Sequence, residues 1–214
     1  HRAHLFPLYL PCAVLGHALS HLATHSARRK AQGIAGRKTT KRGSINTKKL
    51  QTMQINENEW WDAAARLAKR LHQKQMDKAG FDYFEGHLST VAKMGKTWQE
   101  RVVGYLHDAS EDTTHSVDEV ITLLEKECNK SLSAAERATI STALTLLNHH
   151  SAPNRDYYIK AIAQNALATA VKLNDLTHNM DISRLPKPTS KDYARMERYK
   201  AEYTFLQNHG THYK

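Results

Sequence analysis

The sequence predicts an all-α domain. From Trp60 onward, apolar residues recur at helical spacing, no run alternates in strand fashion, and neither a repeat nor a Gly-rich phosphate loop interrupts the pattern. The roughly 160 residues after Met53 suffice for one hydrophobic core. Over residues 59–75, Trp60, Ala64, Leu67, Ala68 and Leu71 share one face, with Arg66, Lys69 and Arg70 opposite. Gly80 ends that region, and a loop over 81–86 leads to His87. Thr97 caps a helix beginning at Trp98, with Glu100 in its first turn and Val102, Val103 and Leu106 facing inward. Ser116 caps the next, which buries Val117, Val120, Ile121 and Leu124. Ser133, with Glu136 three residues on, forms a capping box for a helix through Leu147. Asn154 opens another, carrying Tyr157, Tyr158, Ile159 and Ile162. A helix over 170–180 turns Val171, Leu173 and Leu176 to the core, and Pro186 and Pro188 forbid its continuation. The last helix is expected from Ser190 to about residue 208.

The net charge of +10 and the pI near 9.6 suggest at first a nucleic-acid or anionic-surface binder. However, residues 1–52 hold ten of the 31 Lys and Arg and none of the 21 Asp and Glu, so residues 53–214 are formally neutral. Nucleic acid is therefore not an expected partner of 53–214. The first methionine is Met53, where the composition changes to ordinary amphipathic sequence. Three readings fit residues 1–52: a targeting peptide, a disordered basic tail, or translated sequence upstream of a start at Met53, the last being the leading expectation. The expected organisation is a basic extension over 1–52 and a helical domain over 53–214. No apolar stretch is long enough to span a bilayer, and Cys12 and Cys128 form no C-x-x-C pair. A soluble protein of the reducing cytoplasm, with no membrane partner, is expected.

The densest chemistry follows the apolar run Val102-Val103-Gly104-Tyr105-Leu106, in His107-Asp108-Ala109-Ser110-Glu111-Asp112. On a continuous helix, His107 would stack with Glu111 and Asp108 with Asp112. An adjacent imidazole and carboxylate offer a mixed donor set suited to first-row transition metals. His87 upstream and Asp175 downstream complete a two-histidine, two-aspartate site closed by separate helices, with Asn179 one turn beyond Asp175. Beside such a metal, Glu111 and Asp112 are placed to position and deprotonate a water. His149-His150 read as surface residues at a helix C-terminus, and His115 and His178 as lying behind the ligands or on the surface. Lys74, Lys78 and Lys172 either offer charge to a phosphate or are solvated. Tyr193 and Tyr199 either stack on a base or pack the last helix.

The ordered set of His87, Leu106-His107-Asp108-Ala109-Ser110-Glu111-Asp112-Thr113 and Val171-Lys172-Leu173-Asn174-Asp175-Leu176-Thr177-His178-Asn179-Met180 resembles the HD-domain metal-dependent phosphohydrolases. Within them it is most similar to the hydrolase domain of RelA/SpoT-type enzymes and their small hydrolase-only relatives. The stretch Leu71-His72-Gln73-Lys74-Gln75-Met76-Asp77-Lys78-Ala79-Gly80 resembles that branch's opening segment, and the likeness covers residues 60–203. It implies an HD-domain helical bundle with one metal site in its centre, held by His87, His107, Asp108 and Asp175. It also implies one divalent ion, usually Mn2+, with Glu111 and Asp112 catalytic and Lys74, Lys78 and Asn179 contacting substrate. The implied substrate is guanosine 3′-diphosphate 5′-(di- or tri-)phosphate, cleaved at the 3′ ester.

Three positions depart from that pattern. Asp77 stands where arginine is common, Leu88 replaces a proline, and the loop from 80 to 87 is one residue longer. The first departure predicts that Asp77 repels substrate phosphates and that Asp77→Arg tightens binding. A different nucleotide substrate, or a nucleotide-sensing module without catalysis, are the alternative readings. The intact ligand set and Glu-Asp pair favour the enzyme.

Overall fold

In the computed structural model of the chain, residues 47–212 are described, with side chains from residue 57 onward. The expectations for residues 1–46 lie outside the described residues. Helix α1 (Thr47–Leu71) includes Met53, so the boundary expected there falls inside a helix. A π-helical turn (Phe84–Leu88) runs into α2 (Ser89–Lys93), followed by α3 (Trp98–Leu106), α4 (Ala109–Asp112), α5 (Val117–Cys128) and α6 (Ala134–Leu147). A 3-10 turn (His149–Ser151), α7 (Arg155–Ile162), α8 (Ala166–Met180), a second 3-10 turn (Ile182–Arg184) and α9 (Ser190–His209) complete the order. The described residues form no β-strand, and their one isolated bridge joins Met76 to Asp82. The all-α class holds. No helix among them is long and apolar enough to cross a membrane.

The helix starts are set locally. The side chains of Thr97, Ser116, Ser133, Asn154 and Asn165 each accept a hydrogen bond from the backbone N–H three residues on, satisfying a donor that the first turn leaves free. At Ser116 and Ser133, Glu119 and Glu136 complete capping boxes. Asp192 does the same for α9, accepting from the backbone and hydroxyl of Thr189.

The core is continuous from Leu67 and Leu88 through Leu106, Ile121 and Ile140 to Ile162, Leu176 and Leu206, all fully buried. Helix α1 packs on α3 and α5, while α8 packs on α2, α3, α6, α7 and α9. This central place for α8 brings Asp175 to the middle of the bundle. Gly104 lets α3 close on α2, since a Cβ there would lie 2.8 Å from the Cα of Ala92. That close approach sets the elements bearing His87 and His107 side by side.

Two local expectations change. The residues from His107 to Asp112 do not continue α3: the helix ends at Leu106, and Ala109–Asp112 is a separate turn. His107 and Glu111 therefore do not share one continuous helix, whereas Asp108 and Asp112 remain one turn apart, the Asp112 backbone N–H donating to the Asp108 carbonyl at 2.8 Å. His87, expected at the end of a loop, lies in the π-helical turn, the kind of local widening often found at functional sites.

Candidate metal centre

Four donor atoms from three segments converge in the bundle: His87 from the π-helical turn, His107 and Asp108 from the junction of α3 and α4, and Asp175 from α8. His87 Nε2 and His107 Nε2 are 3.3 Å apart. Asp108 Oδ2 lies 3.6 Å from the first and 3.1 Å from the second, and Asp175 Oδ1 lies 3.4 and 3.9 Å from them. His87, His107 and Asp175 are buried, and their donor atoms all lie within 4.8 Å of one another. Donors held at roughly 2.1 Å from a shared centre sit roughly 3.0–3.4 Å apart in tetrahedral or octahedral arrangements, so the spacing fits one ion. Asp108 is the looser member: it faces both imidazoles, but its Oδ2 also accepts from the Tyr83 hydroxyl at 2.6 Å.

The surroundings orient each donor. His107 Nδ1 lies 2.8 Å from the Gly104 carbonyl, which only accepts, so Nδ1 carries the proton and Nε2 turns its lone pair inward. His87 Nδ1 lies 2.8 Å from Nδ1 of buried His178. Burial, with the charges of His87 and Arg184, pulls His178 down to about 4. Neutral His178 can therefore accept from His87 Nδ1–H, which turns His87 Nε2 toward the other donors. On Asp175, Oδ2 accepts from Lys172 Nζ at 2.7 Å and Oδ1 accepts from Asn179. Lys172 is neither solvated nor free for phosphate: it is buried against Asp175 and lies 5.3 Å from the Tyr158 ring centre.

The carboxylates stabilise positive charge at the centre of the site. Burial alone would lower His87, but hydrogen bonds and charge from Asp108 and Asp175 outweigh it and push the imidazole up to about 9. His107 shifts up for the same reasons, again against burial. Burial opposes ionisation of Asp108 and Asp175, yet the histidines, and Lys172 for Asp175, hold both carboxyls well below their usual range. Two carboxylates and two imidazoles form a donor set that suits a divalent cation with mixed N/O preference once the imidazoles are deprotonated. The residues present fit such an ion.

Of the two catalytic candidates, one lines the cleft and the other does not. Glu111 lines a cleft of about 240 Å³ together with His87, Asp108 and Asp175. Asp112 is exposed and does not line it. Its Oδ2 accepts from Gln75 Nε2 at 2.8 Å, and Gln75 Oε1 lies 2.7 Å from Nδ1 of buried His72. Desolvation shifts Asp112 upward, with Asp108 and Glu111 adding to it against the Gln75 hydrogen bond.

Of the substrate candidates, Lys78 and Asn179 line the cleft and Lys74 does not. Lys74 takes a left-handed backbone conformation (φ 71°) in the turn after α1, and its side chain is exposed. Tyr199 lines the cleft, whereas Tyr193 is exposed outside it. Asp77 does not act as a free repelling charge. Its Oδ1 accepts from the Ala79 and Phe81 amides at 2.9 Å, and its Oδ2 pairs with Arg184 Nη1 at 3.0 Å.

Several cleft residues escaped sequence reasoning. Arg155 forms a two-pronged pair with buried Glu202, at 2.9 and 2.7 Å. His149 is at the surface as expected, but it also contacts Glu111, which the sequence did not indicate. Tyr83 offered one signal, standing four residues before His87. Arg155, Arg184 and His149 offered none, because their partners are 47, 107 and 38 positions away.

No protein-family model matches the chain. A comparison with curated proteins finds similarity to a GTP pyrophosphokinase of Myxococcus xanthus, 30% identical over 116 residues. The match covers 52% of this chain and 15% of that protein's length.

Proposed function

We propose that this chain is a divalent-metal-dependent phosphohydrolase acting on a nucleotide, and specifically a guanosine 3′,5′-bis(diphosphate) 3′-pyrophosphohydrolase. The observation that carries this reading is the convergence of His87, His107, Asp108 and Asp175, with Glu111 facing the same cleft. A divalent ion held there, Mn2+ being the form expected, supplies Lewis acidity toward a phosphate oxygen and an attacking water. Glu111 takes a proton from that water as its oxygen bonds the phosphorus next to O3′. The P–O3′ bond breaks, pyrophosphate leaves, and O3′ receives a proton. Asp112, beside Glu111 on α4, is the acid assigned to give it.

The other cleft residues support a nucleotide. Lys78 makes no ion pair among the described residues. Desolvation and the nearby guanidiniums of Arg195, Arg198 and Arg184 lower its pKa against the opposing charge of Asp192, an arrangement that a further anion relieves. Arg155 and Arg184 add two guanidiniums, and Tyr199 a ring of a size to meet a base. The similarity to a GTP pyrophosphokinase supports guanine-nucleotide pyrophosphate chemistry and raises a second reading, transfer to GTP rather than hydrolysis.

The test measures pyrophosphate release from guanosine 3′,5′-bis(diphosphate), GTP and ATP at equal concentration with Mn2+, beside an ATP-plus-GTP mixture assayed for pyrophosphoryl transfer. The expected result is release from the 3′-diphosphate alone. Equal or faster turnover of GTP and ATP would leave a general nucleotide phosphohydrolase. Transfer without hydrolysis would overturn the reading.

A further inference from the structure

The adjacent histidines after α6 have no part in the chemistry above, yet one of them grips its central carboxylate. His149 Nδ1 lies 2.7 Å from Glu111 Oε1, and the His149 backbone N–H donates to Glu111 Oε2 at 3.1 Å. A single residue thus engages both oxygens. The turn that presents it is tied down independently. Asn148 Nδ2 donates to the carbonyl and hydroxyl of Ser110, at 3.1 and 3.2 Å, one residue before Glu111. Asn148 Oδ1 accepts from His150 N at 2.9 Å, and the Tyr158 hydroxyl donates to the Leu147 carbonyl at 2.7 Å. Because α4 is a single turn separate from α3, its own helix does little to hold Glu111, and the clamp from 148–149 supplies that constraint. The Glu111 side chain is 23% exposed and opens on the cleft.

We infer that His149 is the positioning residue for Glu111. It fixes the carboxylate's rotation so that the base meets the attacking water at one angle, and in the neutral state its Nδ1–H is the ring donor that does so. This inference rests on the phosphohydrolase reading. A residue of this kind acts on the transition state and not on substrate affinity.

The experiment compares wild type, His149→Ala, His149→Asn, Glu111→Gln and the Glu111→Gln/His149→Ala double variant on the nucleotide panel with Mn2+. Metal content and thermal melting are measured for each. Asparagine places an amide N–H close to where imidazole Nδ1 stood. The expected result for His149→Ala is a kcat loss of roughly 10- to 100-fold, with KM, metal content and melting unchanged. His149→Asn regains most of the rate. Adding His149→Ala to Glu111→Gln costs nothing more, because the two act as one unit. A wild-type rate in His149→Ala, a change confined to KM, or the full extra loss on the Glu111→Gln background overturns the inference while leaving the reading intact. A wild-type protein inactive on the whole panel overturns the reading, and the inference with it.

Discussion

Asp77→Arg reverses sign between sequence and structure. By sequence, it restores a cation and tightens substrate. In the structure, the Asp77 side chain is 4% exposed, caps two amides of the 77–81 turn and neutralises Arg184. Removing one member of a buried pair leaves the other charge unpaired, at about 3–5 kcal/mol. Arg184 is poorly placed to absorb that, since its Nε is already buried without a partner. An arginine at 77 adds like-charge repulsion and lacks space. A Cβ placed on Gly86 would already lie 2.9 Å from Asp77 Oδ2, which shows how closely that backbone approaches. Both Asp77→Ala and Asp77→Arg are therefore expected to lose about 3–5 kcal/mol of stability, the arginine at least as much as the alanine. With a urea slope of about 2 kcal/mol/M, the midpoint falls by roughly 1.5–2.5 M. Asp77→Asn keeps the Oδ1 acceptor and should lose less, about 2 kcal/mol. Urea titrations followed by circular dichroism measure all three. An Asp77→Arg midpoint matching wild type, with a lower KM, would refute this account and restore the repulsion argument.

Four further outcomes are expected. Asp175→Ala and His107→Ala should lose the metal, whereas Glu111→Gln should keep it and lose on the order of 10²-fold or more in rate; elemental analysis beside kinetics separates the two classes. Metal affinity should rise by up to about tenfold per pH unit from pH 7 to 9, because binding displaces the proton that His87 holds up to about 9; calorimetry in buffers of different ionisation heat counts that proton. The same raised pKa makes His87's contribution to metal-free stability complete below about pH 6.5 and lost as pH rises through about 9, so apo-protein melting should fall across that window. A chain cut to residues 53–214 should keep the helical circular dichroism of the full chain, and loss of that signal would move the boundary into the first turns of α1.

The sequence by itself determined what acts over a few positions. Thr97, Ser116, Ser133 and Asn154 cap helices because a side-chain oxygen meets an amide three residues ahead, a distance within the reach of one turn. The apolar periodicity of α1, α3 and α5 likewise states which face is buried. His107 and Asp108 stood out as an adjacent imidazole and carboxylate at the end of an apolar run, and His87 and Asp175 through their order in the motif set around that pair. What only the tertiary structure decided is pairing across the chain. His149 meets Glu111, Arg184 meets Asp77 and Arg155 meets Glu202 at separations of 38, 107 and 47 residues, and such contacts leave no periodic trace. Their effect is to reassign charge: Asp77 becomes a neutralised brace, Lys172 a support for Asp175, and a surface-looking histidine the holder of the candidate base. Composition lists the charged groups in a chain, but packing alone decides which charge faces which.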